Sequence, residues 1–153
     1  MTISFTNIWK DKILDPIRSF LNTEFKSQLK VYIAEDYEAN GNASIRLHGA
    51  LQSTTKYGNA GFTNQYLVNI NYYLLASNFN ERAIEKLYRD VSRLEQLLYN
   101  KRNPNDRGET TTHNFYDGRI SNIRINDKSG EEIDVDNLLT AKIDYVCKYT
   151  KVS

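Results

Sequence analysis

Histidine and cysteine, the side chains that most often bind metals or act as nucleophiles, are scarce in this chain. It has two histidines, His48 and His113, and one cysteine, Cys147. A metal site needs several His, Cys, Asp or Glu side chains at suitable spacing, and neither histidine has such neighbours in the sequence. Cys147 lies in an alternating strand pattern, which favours a small core residue over a nucleophile. The sequence predicts no metal, no cofactor and no catalytic residue.

An acidic cluster near the C-terminus is the other group of chemical interest. Residues 131–137 read EEIDVDN and include Asp134 and Asp136. Paired carboxylates serve acid–base catalysis or bind cations, but this segment lacks the glycine and the closing glutamate of a calcium loop. A solvent-exposed edge, open to a basic partner, is the simpler interpretation. The alternative is a small hydrolase or ligand-binding domain in which His48, His113 and Asp134 meet in one cleft.

Charge and composition exclude several classes of protein. The 153 residues carry 20 Lys and Arg against 19 Asp and Glu, and a net charge of +1 gives no bulk attraction to nucleic acid or to anionic membranes. A nucleic-acid adaptor using Lys101, Arg102 and Arg107 is weakened by the nearby Asp106 and Glu109. No apolar run is long enough to cross a bilayer, and the first residues lack the order of a signal peptide. The 11 tyrosines suit a partner interface, or simply strands.

A strand that runs directly into a helix is the central pattern of the chain. Residues 66–75 alternate apolar and polar side chains, which is typical of a half-buried strand. Asn80 is the expected helix cap, with Glu81 in the first turn. Apolar residues then recur three or four apart and form one helical stripe. The stripe consists of Ile84, Leu87, Tyr88, Val91, Leu94 and Leu98.

The N-terminal segment is also amphipathic, but a proline interrupts it. Residues 7–25 carry an apolar face, and Pro16 is tolerated in a first turn while it disrupts a helix interior. Two interpretations follow. Either a short turn precedes a helix that begins near Asp15, with Asp15 as its cap, or one kinked helix spans the segment.

Alternation predicts four further strands, over residues 29–33, 45–47, 119–125 and 139–150. The turn-forming residues 36–42 lie between the first two strands, which predicts an antiparallel hairpin. Strands joined by hairpins and one helix indicate an α+β fold, a mixed and mostly antiparallel sheet with an N-terminal helix and a long central helix on one face. We expect a single domain over residues 1–153.

Two long polar segments interrupt these elements, at residues 52–64 and 101–114. Each is expected to be a loop. The first is either a mobile connection between strands or a β-arm that orders against a neighbouring subunit.

The ordered set of elements resembles a known family, the tail terminator or tail completion proteins of long-tailed bacteriophages. The resemblance covers most of the chain and is one of architecture, because the family has no strict motif. It is carried by ILDPIRSFLN, by YLVNINYYLL running into NERAIEKLYRDVSRLEQLLYN, and by FYDGRISNIRI, EEIDVDNL and TAKIDYVCKYT.

The resemblance implies a structural virion protein, made in the host cytoplasm, that forms a hexameric ring on the tail tube and joins it to the head connector. DNA would pass through the ring with only non-specific contacts, and no catalysis, cofactor or membrane is implied. Another neck or connector protein is the alternative within this class. The polar segments and the acidic turn supply the candidate interface residues, which are Lys56, Tyr57, Phe62, Arg102, Arg107, Asp134 and Asp136.

Overall fold

The fold is a five-stranded sheet with two helices, in the element order predicted from the sequence. A computed structural model describes residues 2–33, 43–75, 81–103, 115–126 and 138–152. Its helices are a π-helical segment at Trp9–Leu14, α1 at Asp15–Phe25, a 3-10 turn at Lys26–Gln28, and α2 at Glu81–Asn100. Its strands are β1 at Lys30–Ile33, β2 at Ala43–Gly58, β3 at Gly61–Leu75, β4 at Tyr116–Ile125 and β5 at Leu138–Val152.

The strands lie in the order β1-β2-β3-β5-β4, and the sheet is mixed. β1 and β2 are parallel, while the other three pairings are antiparallel. The α+β class is therefore confirmed, but the predicted hairpin between the first two strands is wrong, because Val31 lies opposite Ile45 in a parallel register. Alternation shows which face a residue occupies and carries no information on strand direction. The predicted turn at residues 36–42 lies outside the described residues.

One face of the sheet forms the core, and both helices pack on it. Along β3 and β5 every second residue faces the core, and Cys147 is one of these core residues. Ile70 lies between Leu47 on β2 and Ile143 on β5, so the apolar rows continue across the strands. Burial raises the pKa of the Cys147 thiol to about 12, which agrees with the core position predicted for it.

The N-terminal segment is one continuous helical stretch with a π-helical beginning. The backbone is already helical at Leu14, the residue before α1, so Asp15 is not the cap that we considered; its carboxylate instead contacts Lys10 Nζ at 3.0 Å. Pro16 has no N–H to donate to the Lys12 carbonyl four residues earlier. That carbonyl accepts a hydrogen bond from the Phe115 backbone N–H at 3.3 Å, so the proline frees an acceptor that fixes the start of β4.

The buried stripe of α2 is rotated from the predicted one. Leu87, Val91, Leu94 and Leu98 are buried as expected, but Ile84 and Tyr88 are 37% and 52% exposed. Asp90 is buried in their place, because its carboxylate accepts a hydrogen bond of 2.5 Å from the buried Tyr72 hydroxyl. Glu81 begins the helix as predicted, while Asn80 lies outside the described residues.

The expected polar loop at residues 52–64 is a β-hairpin. β2 and β3 continue as paired strands to Gly58 and Gly61, where the hairpin turns. The polar composition had suggested a loop, but paired strands with both faces in solvent need no apolar alternation. Of the second predicted loop, residues 101–103 form a turn and a bend, and residues 104–114 lie outside the described residues.

Candidate functional site

The first candidate surface is the hairpin arm, which we define as residues 51–64. Every residue of its β2 half is exposed, on both faces of the strand. β1 pairs with β2 only as far as Leu47, so beyond that point the described strands leave the outer backbone edge of β2 unpaired. The pairing of β2 with β3 shifts register between Gly49 and Leu51 and again between Thr54 and Lys56. Such β-bulges bend a strand and increase its twist.

The tip of the arm carries three of the predicted interface residues and brings two of them, Tyr57 and Phe62, into contact. Tyr57 is 84% exposed, and its ring stacks on Phe62 with a centroid distance of 6.5 Å and an interplanar angle of 19°. Phe62 lies opposite Tyr57 on one side and Lys151 of β5 on the other. This row, Tyr57–Phe62–Lys151, lies on the same face of the sheet as the helices, which we infer from the alternation along β3. Lys56 points to the opposite face.

The base of the arm is fixed by the N-terminal helical segment. The Trp9 ring lies edge-on to the Tyr66 ring at 4.9 Å, and its indole N–H donates to the Gln52 side-chain oxygen at 2.9 Å. A Cβ on Gly49 would lie 2.6 Å from the Trp9 ring. Only a glycine allows this approach, so Gly49 lets the indole hold the arm where it leaves the core.

The second candidate surface is a cleft between α2 and β4, with a volume of about 380 Å³. Glu95, Leu98, Tyr99 and Arg102 line its helix side, at the spacing of one helix face. Residues 117–120 of β4 line the other side, and Tyr145 of β5 lies at the floor. The volume is within the range of small-ligand pockets, about 300–1,000 Å³.

Two hydrogen bonds donated by backbone N–H groups of β4 hold the walls of the cleft together. The Gly118 N–H donates to the Arg102 carbonyl at 2.8 Å, and the Asp117 N–H donates to the Asn103 side-chain oxygen at 2.7 Å. A Cβ on Gly118 would lie 1.8 Å from the Tyr145 hydroxyl oxygen. Glycine at this position is therefore required for the phenol to reach the floor of the cleft.

The polar groups of the cleft are unevenly paired. The Arg102 guanidinium lies over the Tyr99 ring at 4.3 Å and donates to the Tyr99 carbonyl at 2.8 Å. Asp117 faces Lys148 Nζ at 3.5 Å. Among the described residues, Glu95 and Arg119 have no ion-pair partner.

The Tyr145 hydroxyl is buried without a hydrogen bond in the described part of the chain. Burial raises the pKa of Tyr145 well above its ordinary value, so the group remains a neutral O–H at physiological pH. A buried hydroxyl without a partner costs about 1–3 kcal/mol.

The other predicted site residues are partly beyond the described residues. Arg107, His113, Asp134 and Asp136 all lie in the undescribed segments. His48 is described and faces Asn69, with its Nε2 3.0 Å from the amide nitrogen. No group of three or more potential metal ligands occurs among the described residues, and within them no helix has the length and apolarity needed to span a membrane.

Sequence reasoning identified Arg102 but missed the rest of the cleft. Glu95, Gly118 and Tyr145 come from three elements, and no local spacing links them. The one available signal was Gly118, directly before the strand predicted at residues 119–125, since a glycine in a strand often marks a close approach of another group. The arm tip was easier to find, because aromatic residues stand out in a polar segment.

Comparison with known proteins adds little to this geometry. No protein-family model matches the chain, and no curated protein matches it. Among solved structures, a chain described as "Virion of native gene transfer agent (GTA) particle" is similar, with a TM-score of 0.46 and 9% identity over 88% of this chain and 84% of that chain. A likeness at this level carries no functional conclusion, so the function is argued from the surfaces themselves.

Proposed function

We propose that this chain is a structural virion protein of a tailed bacteriophage. In this proposal copies of the chain assemble into a hexameric ring that closes the tail tube and joins it to the head connector. The order of elements, two helices on one face of a mixed sheet, supports the resemblance on which the proposal rests. The function depends on shape and contact and requires no cofactor.

The observation that carries the proposal is the exposed hairpin arm. A strand with both faces in solvent gains nothing from the core, and its free edge is a template for pairing with another chain. The β2 half of the arm has these properties from Leu51 to Gly58, yet it stays paired with β3 over this length, with one register shift between Thr54 and Lys56. An ordered extension of this kind gains stability when a neighbouring subunit covers it.

The placement of the two surfaces fits a head-to-tail contact. The arm ends on β2, while the cleft lies beside β4, the strand at the opposite edge of the sheet. A contact between two different surfaces of identical chains is heterologous, and such contacts generate closed rings when the rotation closes. A ring protein needs this arrangement of surfaces.

Sedimentation velocity of the purified full chain, followed by negative-stain imaging, tests the proposal. We expect a ring, either in solution or on addition of the tail tube protein of the same phage. A monodisperse monomer that never associates with tube ends would refute it.

Deletion of Thr54–Ala60 separates assembly from folding. The remaining residues 61–64 can close a shorter hairpin after Ser53, and the lost residues lie outside the core. We expect thermal unfolding close to that of the parent chain and no ring formation, because loop tips and exposed extensions tolerate such changes. Rings formed by the deletion variant would contradict the role of the arm, and a much lower unfolding temperature would contradict its independence from the core.

A further inference from the structure

We propose that the arm tip of one copy inserts into the cleft between α2 and β4 of a second copy. The proposal rests on the self-association argued above and names the contact that would produce it. Its two halves are the Tyr57–Phe62–Lys151 row and the cleft lined by Glu95, Arg119 and Tyr145.

The shapes and polarities of the two halves correspond. The walls of the cleft present Leu98, Tyr99 and Ile120, which suit the apolar ring of Tyr57. Tyrosine combines an apolar ring with a hydroxyl that needs a partner. The Tyr145 hydroxyl has almost no accessible surface, so the contact rests on the ring of Tyr57, and the Tyr57 hydroxyl stays toward the open side of the cleft.

The charges also correspond. Lys151 flanks the stacked rings of the tip, and the described residues give it no salt-bridge partner. Glu95 is a carboxylate of the cleft that has no ion-pair partner among the described residues. The inserted tip would therefore pair Lys151 with Glu95.

The same copy cannot supply both halves. The row that contains Lys151 lies six residues along β5 from Tyr145, which is about 20 Å at the rise of a strand. Tyr57 also lies three strands away from β4, a further displacement of about 14 Å across the sheet. The arm of one copy is therefore directed away from its own cleft, and the contact must be intermolecular.

The surface beside the cleft has the character of an interface. Ile84, Tyr88 and Tyr99 lie along one side of α2 and are exposed. Interfaces are enriched in tyrosine relative to the rest of a protein surface. An occupant of the cleft would cover the end of this side that carries Tyr99.

Chemical cross-linking of the full chain with two added cysteines tests the contact. Gly58→Cys adds a thiol beside Tyr57 at a position where a Cβ meets no other atom, and Ser92→Cys adds one on α2, a turn before Glu95. The native thiol of Cys147 is fully buried and does not compete. We expect a short bismaleimide to convert the G58C/S92C chain into a ladder of covalent multimers, whose largest member gives the ring size.

The matched control is the G58C/R82C chain. Arg82 is exposed on the same helix, ten residues before Ser92 and therefore about 15 Å away. We expect no ladder from this chain or from either single-cysteine chain. Rings without the G58C/S92C ladder would overturn the proposed contact and leave the ring function standing, whereas a chain that stays monomeric would overturn both.

Substitutions at the contact provide a second test. Tyr57→Ala should abolish the ladder and the rings, while Tyr57→Phe should retain both because it keeps the ring. Lys151→Glu should weaken assembly, and adding Glu95→Lys in the same chain should restore it. Normal assembly of the Y57A chain, or no recovery of assembly in the K151E/E95K chain, would overturn the proposed contact between the arm tip and the cleft.

Discussion

Replacing Tyr72 by phenylalanine removes one oxygen atom from a closed core and should destabilise the protein measurably. Tyr72 is fully buried on β3, and its hydroxyl donates to the Asp90 carboxylate of α2 at 2.5 Å. Lys86 Nζ lies 3.3 Å from the same carboxylate oxygen. The hydroxyl thus joins the sheet to the helix through a charged acceptor that is only 6% exposed.

The magnitude follows from the groups that remain. A hydrogen bond to a charged group contributes about 1.5–3 kcal/mol, and its loss leaves a buried carboxylate partly unsatisfied. Lys86 stays in contact with Asp90 but is about half exposed, so water screens that pair and it compensates little. We expect Tyr72→Phe to lower the free energy of unfolding by about 2 kcal/mol, and the midpoint of thermal unfolding by roughly 4–8 °C.

Urea unfolding at pH 7 followed by circular dichroism measures the effect. Tyr88→Phe is the matched control, because the Tyr88 ring is half exposed and its hydroxyl has no recorded partner in the described residues; we expect a change below about 0.5 kcal/mol there. In a background of Asp90→Ala, the effect of Tyr72→Phe should shrink. A loss below about 0.5 kcal/mol for Y72F, or full additivity with D90A, would refute the reasoning.

The pH dependence of the same variant has a defined sign. Burial, followed by the contact with Asp90, raises the pKa of Tyr72 above its ordinary value of 10.0. The contribution of the hydroxyl is therefore complete below pH 10 and is lost as the pH rises further, because only the unfolded chain then releases the proton. The stability difference between the parent chain and Y72F should decrease above pH 10.

Three further outcomes are expected. Leu94→Ala should lower the free energy of unfolding, measured in urea, by about 2–5 kcal/mol, because Leu94 is fully buried. A loss below about 1 kcal/mol would show that Leu94 is not a core residue. Gly118→Ala should cost about 1–3 kcal/mol through its clash with the Tyr145 hydroxyl, and part of the loss should return in the G118A/Y145F chain. Cys147, whose pKa burial raises from 9.0 to about 12, should make stability fall by about 1 kcal/mol between pH 9 and 10, and Cys147→Ala should remove this part of the fall.

The faces of the long strands could be predicted from the sequence. In β3 and β5 the apolar residues alternate over most of each strand, and the structure buries the residues of the predicted core face, from Tyr66 to Leu74 and from Leu139 to Tyr149. It also buries four residues of the opposite face, which a half-buried strand does not predict; they are Asn71, Tyr73, Thr140 and Lys142. The class of fold followed, since one apolar sheet face and two amphipathic helices have few ways to cover each other. The arm tip could be located for a related reason, because aromatic side chains in a polar segment need a partner.

The direction of β1, the rotation of α2 and the cleft could not be predicted. A four-residue strand carries the same alternation in either direction, so only its pairing with β2 reveals that it is parallel. Asp90 would not be placed in a core from its type, and it is buried only because Tyr72 of another element offers a hydroxyl within reach.

The sequence alone therefore determined which apolar side chains of β3 and β5 leave water, and where the two helices and the strands outside the arm lie, because periodicity is a local property of the chain. The tertiary structure decided where distant residues meet. It turned a polar stretch into an ordered arm, placed Gly118 against Tyr145, and set Glu95 at the mouth of a cleft. These outcomes depend on the register and twist of neighbouring strands, which no single segment encodes.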